Sequence, residues 1–201
     1  MLGGGALGAP APALAAGADS PLDPPAAVSM GQAIATQLER NDVTSAAYAI
    51  VTPTGIEAHG HGAATADTPF VIGSVSKSFT ATLVLDLAED GLVDLEAPIG
   101  AYLEEFRAAG TGSQITVGEL LSQTSGLTDR GLEPLVYEPG HSLGELAAAA
   151  AAKAPDGAGT APFEYANTNF SLAGLVAERA AGAGYEELLR ERILEPLGMA
   201  L

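Results

Sequence analysis

The chain is 201 residues long and carries 25 acidic residues against 8 basic ones, a net charge of −17. A field of that sign repels phosphates and anionic lipid, which argues against nucleic acid and against membrane insertion or surface binding. With no cysteine in the chain, disulfides, thiol nucleophiles and thiolate metal sites are excluded. The length suits one domain with a substantial core, and the scarcity of aromatics makes that core depend on Leu, Val and Ile, with Ala and Gly allowing close helix contacts.

Residues 1–29 are rich in Ala, Gly and Pro and read as a low-complexity tail or the remnant of a signal peptide. The small residues around Ala13 to Ala18 resemble a cleavage region, yet no Lys or Arg precedes Arg40, so a positive n-region would have to lie upstream. Export to the cell envelope or beyond is the expectation, and a cytoplasmic location the alternative. No later apolar run has the length of a membrane span.

Residues 30–201 then read as one domain, or the larger part of one, of the α+β class. MGQAIATQLERN (30–41) spaces Ile34 and Leu38 as an amphipathic helix does. SAAYAIV (45–51), TPTG (52–55) and IEAHGHG (56–62) predict a strand, a turn and a returning strand. On that second strand His59 and His61 would face one side. No carboxylate or third histidine lies at ligand spacing beside them, so no metal is expected. Val75 to Asp90 follow a helical period, with Gly91 as its stop.

Residues 94–106 predict a turn and a short helix, and 115–127 a helix that Thr116 and Glu119 open with a capping box. Residues 128–140 read as loop. SLGELAAAAAAK (142–153) is strongly helix-forming, residues 154–162 break it, and 169–182 with 185–199 form a closing helical pair. A short strand pair therefore precedes a mostly helical region.

The segment IGSVSKSFTA (72–81) sets Ser74 and Lys77 three apart at the start of a helix, where i and i+3 side chains are neighbours on one face. A serine hydroxyl at its ordinary pKa is a poor nucleophile and needs a base beside it. Lys77 can serve as that base, or as a cation that lowers the pKa of another one. The plain alternative makes Ser74 a helix cap and Lys77 a solvated surface residue.

Four segments in order add to this pair: FVIGSVSKSFTA (70–81), ITVGELLSQTSGL (115–127), YANTNFSLAG (165–174) and ILEPLGM (193–199). Together they resemble the serine β-lactamase and penicillin-binding-protein superfamily, above all its class C, D-aminopeptidase and family VIII esterase branch. The resemblance runs from about residue 30 to the last residue. It implies a β-lactamase/transpeptidase-like fold with an N-terminal strand hairpin and a helical lobe. Ser74 would attack a carbonyl and become acylated, and Lys77 would polarise Tyr165 or accept the proton itself. Tyr165 would act as base and then acid, and Asn167 would bind Lys77 and the substrate's amide. No cofactor is implied. Gln123 stands where the family usually has His, which predicts altered hydrogen bonding rather than lost chemistry.

The family's third element, a Lys-Thr-Gly or His-x-Gly triplet on a strand beside the site, does not occur after either lysine or any of the three histidines. The expectation is a truncated chain without the remaining sheet strands and C-terminal helix. The function expected is a serine hydrolase forming an acyl-enzyme on an ester, amide, β-lactam or D-amino-acid peptide, with activity of the truncated chain in question. The alternatives are a non-catalytic penicillin-binding or sensor-like module that keeps the motifs, and a separate C-terminal fragment that completes the site.

Overall fold

In the computed structural model, residues 24–110, 115–155 and 161–199 are described, and they fall into two units that divide between Ile72 and Gly73. The Ala13 to Ala18 stretch lies outside the described residues. In the first unit, helix α1 (Pro24–Arg40) starts six residues ahead of the expected Met30 and so crosses the proposed boundary at residue 29. Two prolines open it, which is tolerated because first-turn N–H groups have no intrahelical acceptor to lose. At its end Asp42 takes a left-handed φ of 53°, and the Val43 N–H donates to Leu38 O at 2.9 Å, closing a Schellman turn without glycine.

Strands β1 (Ser45–Thr52) and β2 (Gly55–Gly62) pair antiparallel from Ser45↔Gly62 to Thr52↔Gly55 across Pro53 and Thr54. The alternation of β1 puts every second side chain on one face, and the cross-strand pair Tyr48 and His59 stacks with ring centroids 5.0 Å apart. Gly60 has to be glycine, since a Cβ there would lie 2.2 Å from Ala64 O.

The second unit is the helical lobe. A 3-10 turn (Gly73–Val75) leads into α2 (Ser76–Glu89), which buries Thr80, Leu83, Val84 and Leu87 along one stripe. Gly91, at φ 75°, ends it as expected, with the Leu92 N–H returning to Leu87 O at 2.9 Å. A 3-10 turn (Ile99–Ala101), α3 (Glu104–Ala109) and α4 (Val117–Ser122) follow. The expected capping box opens α4: Glu119 N–H donates to Thr116 Oγ1 at 3.2 Å and Thr116 N–H to Glu119 Oε2 at 2.9 Å.

Residues 128–140 are not all loop: α5 (Glu133–Tyr137) forms there, with Pro134 in its first turn. Its single turn is too short for an apolar period to register in sequence. Helix α6 (Leu143–Lys153) begins with a second capping box, Ser142 with Glu145. Its Ala147, Ala150 and Ala151 are buried, small enough to let it lie against both α3 and α7 (Asn167–Ala181). Helix α7 is the most enclosed element, with Thr168, Asn169 and Leu172 to Ala177 buried, and it packs on α2 and α4.

The last expected helix, 185–199, is instead α8 (Tyr185–Leu189) widening into a π-helical turn (Arg190–Leu194). Pro196 explains the change, because it offers no N–H and its ring crowds the carbonyl four residues back. Arg192 Nη1 donates to Asp86 Oδ2 and Asp90 Oδ2, both at 2.7 Å, which fixes this turn to α2. Among the described residues no helix is long and apolar enough to cross a membrane.

Candidate active site

The stripe that anchors α2 in the lobe also sets what its first turn presents to solvent. Ser74 sits in the 3-10 turn just ahead of α2, and the helix start has no side-chain cap. Ser74 Oγ therefore does not serve as a cap. It lies 2.7 Å from Tyr165 OH, and Lys77 Nζ donates to it at 3.2 Å. Lys77 Nζ also donates to Asn167 Oδ1 at 2.5 Å and stands 4.8 Å from the centre of the Tyr165 ring. The structure thus brings together all four residues singled out in sequence, from segments about 90 residues apart.

Tyr165 is 52% exposed, and its phenol is held below its ordinary pKa, chiefly by the Lys77 ammonium and then by the Ser74 hydroxyl. A phenol so placed gives up its proton more readily than free tyrosine does. Beside Lys77 and Asn167 a cleft of about 280 Å³ opens, lined also by Ser76, Thr80, Phe170 and Tyr185. Thr80 Oγ1 and Tyr185 OH lie 2.7 Å apart at its wall.

Tyr165 and Asn167 flank the start of α7, and two further residues hold that corner. Gln123 ends α4 in the left-handed region at φ 63° and is 5% exposed. Its Oε1 accepts from the Ala166 N–H at 3.0 Å and from Asn169 Nδ2 at 2.7 Å, and its backbone O accepts from the Glu164 N–H at 2.9 Å. Both partners of Oε1 are donors, which fixes the orientation of the amide. Its Nε2 is buried without a partner among the described residues. Ser125 Oγ, at 0% exposure, donates to Asn169 Oδ1 at 2.6 Å, so the turn after Gln123 shapes the lobe's interior.

Asp129 caps α7 from a distance in sequence. Its Oδ1 accepts from Thr168 N at 2.9 Å and Thr168 Oγ1 at 2.8 Å, and its Oδ2 from Asn167 N at 3.0 Å. Burial pushes this carboxyl up, but the hydrogen bonds from Thr168, Asn167 and Tyr137 prevail and hold it below its ordinary value. Sequence reasoning missed Asp129 and Tyr137. The only signal was an acidic residue shortly after the TSGL turn, in a stretch read as loop.

A family model described as Beta-lactamase matches residues 30–200. The chain is 32% identical over 151 residues to penicillin-binding protein 4 of Amycolatopsis lactamdurans, covering 72% of this chain and 39% of that one. Among solved structures it is similar to the D-amino acid amidase of Ochrobactrum anthropi SV3, at 29% identity and a TM-score of 0.68, over 83% of this chain and 52% of that one. It is also similar to the octameric penicillin-binding protein homologue of Pyrococcus abyssi, at 26% identity and a TM-score of 0.70, over 86% of this chain and 43% of that one. The chain therefore belongs to the Beta-lactamase family, a family of serine hydrolases with the β-lactamase/transpeptidase-like fold. It spans about two fifths to one half of the length of these relatives.

Proposed function

We propose that the chain forms an acyl-enzyme at Ser74 with a small carbonyl substrate: an ester, an amide, a β-lactam or a D-amino-acid peptide. The contact of Ser74 Oγ with Tyr165 OH at 2.7 Å carries this reading. In its phenolate form, which Lys77 favours, Tyr165 takes the Ser74 proton as Oγ bonds to the carbonyl carbon. The carbonyl electrons move onto oxygen. When the intermediate collapses, the bond to the leaving nitrogen or oxygen breaks and that atom takes the proton from Tyr165. An ester on Ser74 remains, and water attacking by the same proton route releases it. Asn167 keeps the Lys77 ammonium in place and leaves it positive toward the phenolate.

The names of the relatives, a penicillin-binding protein and a D-amino acid amidase, favour an amide carbonyl over other acyl groups. The test is intact mass after incubation with a fluorophosphonate and, separately, with a penicillin. An adduct on the native chain that is absent from Ser74→Ala supports the reading, and a folded chain without an adduct refutes it. A penicillin adduct that never discharges would mark a capture module rather than a hydrolase.

A further inference from the structure

The orientation of Asn167 is the least self-evident feature of the site. A primary amide turned over by half a rotation keeps its shape but would aim Nδ2, a donor, at the Lys77 ammonium. What prevents this lies on the other side of the amide. Asn167 Nδ2 donates to Tyr137 OH at 2.9 Å and to Asp129 Oδ2 at 3.3 Å. Tyr137 OH accepts there because its own proton goes to Asp129 Oδ2 at 2.9 Å. A carboxylate can only accept, so it sets the donor direction of the whole chain. Tyr137 O–H points to Asp129, the Asn167 N–H groups point to Tyr137 and Asp129, and the Asn167 carbonyl is left for Lys77.

We infer that Asp129, acting through Tyr137 and the Asn167 amide, is a positioning residue that fixes Lys77 beside Ser74 and Tyr165. The inference deepens the function proposed above and rests on it for its kinetic consequence. Two observations support it. The hydrogen bonds converging on Asp129 keep it ionised, and its contact with Tyr137 raises that phenol's pKa, so the proton stays where the chain needs it. Replacing Asp129 by Asn would put an NH2 group against donors on whichever side it faced, since both oxygens are already occupied by five donated hydrogen bonds.

The sign of one titration separates positioning from a simple charge effect. Two charges act on the Tyr165 phenol: Lys77 lowers its pKa and Asp129 raises it. If Asp129 mattered only as a charge, Asp129→Asn would lower the Tyr165 pKa further. If it positions Lys77, the same variant raises that pKa toward the ordinary phenol value. Tyr137→Phe keeps the Asp129 carboxylate and removes only the intervening hydroxyl. Tyr137 is 61% exposed, so the fold should tolerate the change even if Asp129→Asn does not fold.

The experiment is a pH titration of the full chain labelled with [ζ-13C]tyrosine, with Tyr165 assigned by Tyr165→Phe. Fluorophosphonate labelling of Ser74 is timed in parallel. An upward move of the Tyr165 midpoint in Tyr137→Phe, and in Asp129→Asn if folded, with labelling slowed about tenfold or more, is the expected result. An unmoved or lowered midpoint in Tyr137→Phe overturns the inference. The titration is read on unreacted protein, so a native chain that takes no label refutes the proposed function while the midpoint still decides the role of Asp129.

Discussion

Gln123→Met tests whether the buried amide network holds the corner that carries Tyr165 and Asn167. The substitution keeps the volume and the apolar stem, so no large cavity forms. It removes the Oε1 acceptor of the Ala166 N–H and Asn169 Nδ2, whose residues are both 0% exposed, and leaves two buried donors without that partner. Each such loss costs about 1–3 kcal/mol. Against this, the native Nε2 is itself buried and unpartnered, and methionine removes that burden of similar size. One net loss remains, which predicts a destabilisation of about 1–3 kcal/mol, a large share of a typical domain's stability. The assay is equilibrium urea unfolding followed by far-ultraviolet circular dichroism, since the chain has no tryptophan. Ser74 labelling should slow in the same variant while it is still folded. A stability change under about 0.5 kcal/mol, or a gain, would show that the Gln123 acceptor does not hold the α7 corner.

Ser74 labelling should rise with pH and level off below the ordinary phenol range, because the lowered pKa of Tyr165 makes phenolate available earlier. In Lys77→Ala that midpoint should move up and the rate at neutral pH fall by about 10²- to 10⁴-fold, because Tyr165 is then no longer poised for proton transfer; an unchanged midpoint would remove Lys77 as its cause. Asp129 has a folded pKa below its unfolded one, so its contribution to stability is present above the unfolded value and fades as pH falls through the folded value. The urea midpoint of the native chain should therefore drop more steeply on acidification than that of Asp129→Asn, and parallel slopes would contradict this. Phe106 is fully buried, and Phe106→Ala should cost about 3–5 kcal/mol in the same urea assay.

Features set within a few residues were legible in sequence. The capping box of Thr116 with Glu119, the hairpin around Pro53 and Thr54, and the stop at Gly91 depend on neighbours along the chain. So does the shared face of Ser74 and Lys77, which helical geometry brings to 3.2 Å. Tyr165 and Asn167 were named only through ordered motifs that resemble a family, since no local rule links residues about 90 apart. Where composition or a single proline governed, boundaries moved: α1 began early at Pro24, and Pro196 turned the last helix into a π-helical turn.

What tertiary structure alone decided is where buried polar groups find partners. Asp129 caps α7 from 38 residues away, and Gln123 meets Ala166 from 43 away. Tyr137 reaches Asn167 from a one-turn helix that sequence read as loop. A buried donor costs stability unless some acceptor meets it, and only the packed arrangement of α4, α5 and α7 determines which acceptor that is. Sequence could therefore nominate Ser74 and Lys77 as neighbours. The orientation of the Asn167 amide beside Lys77 is a property of the fold.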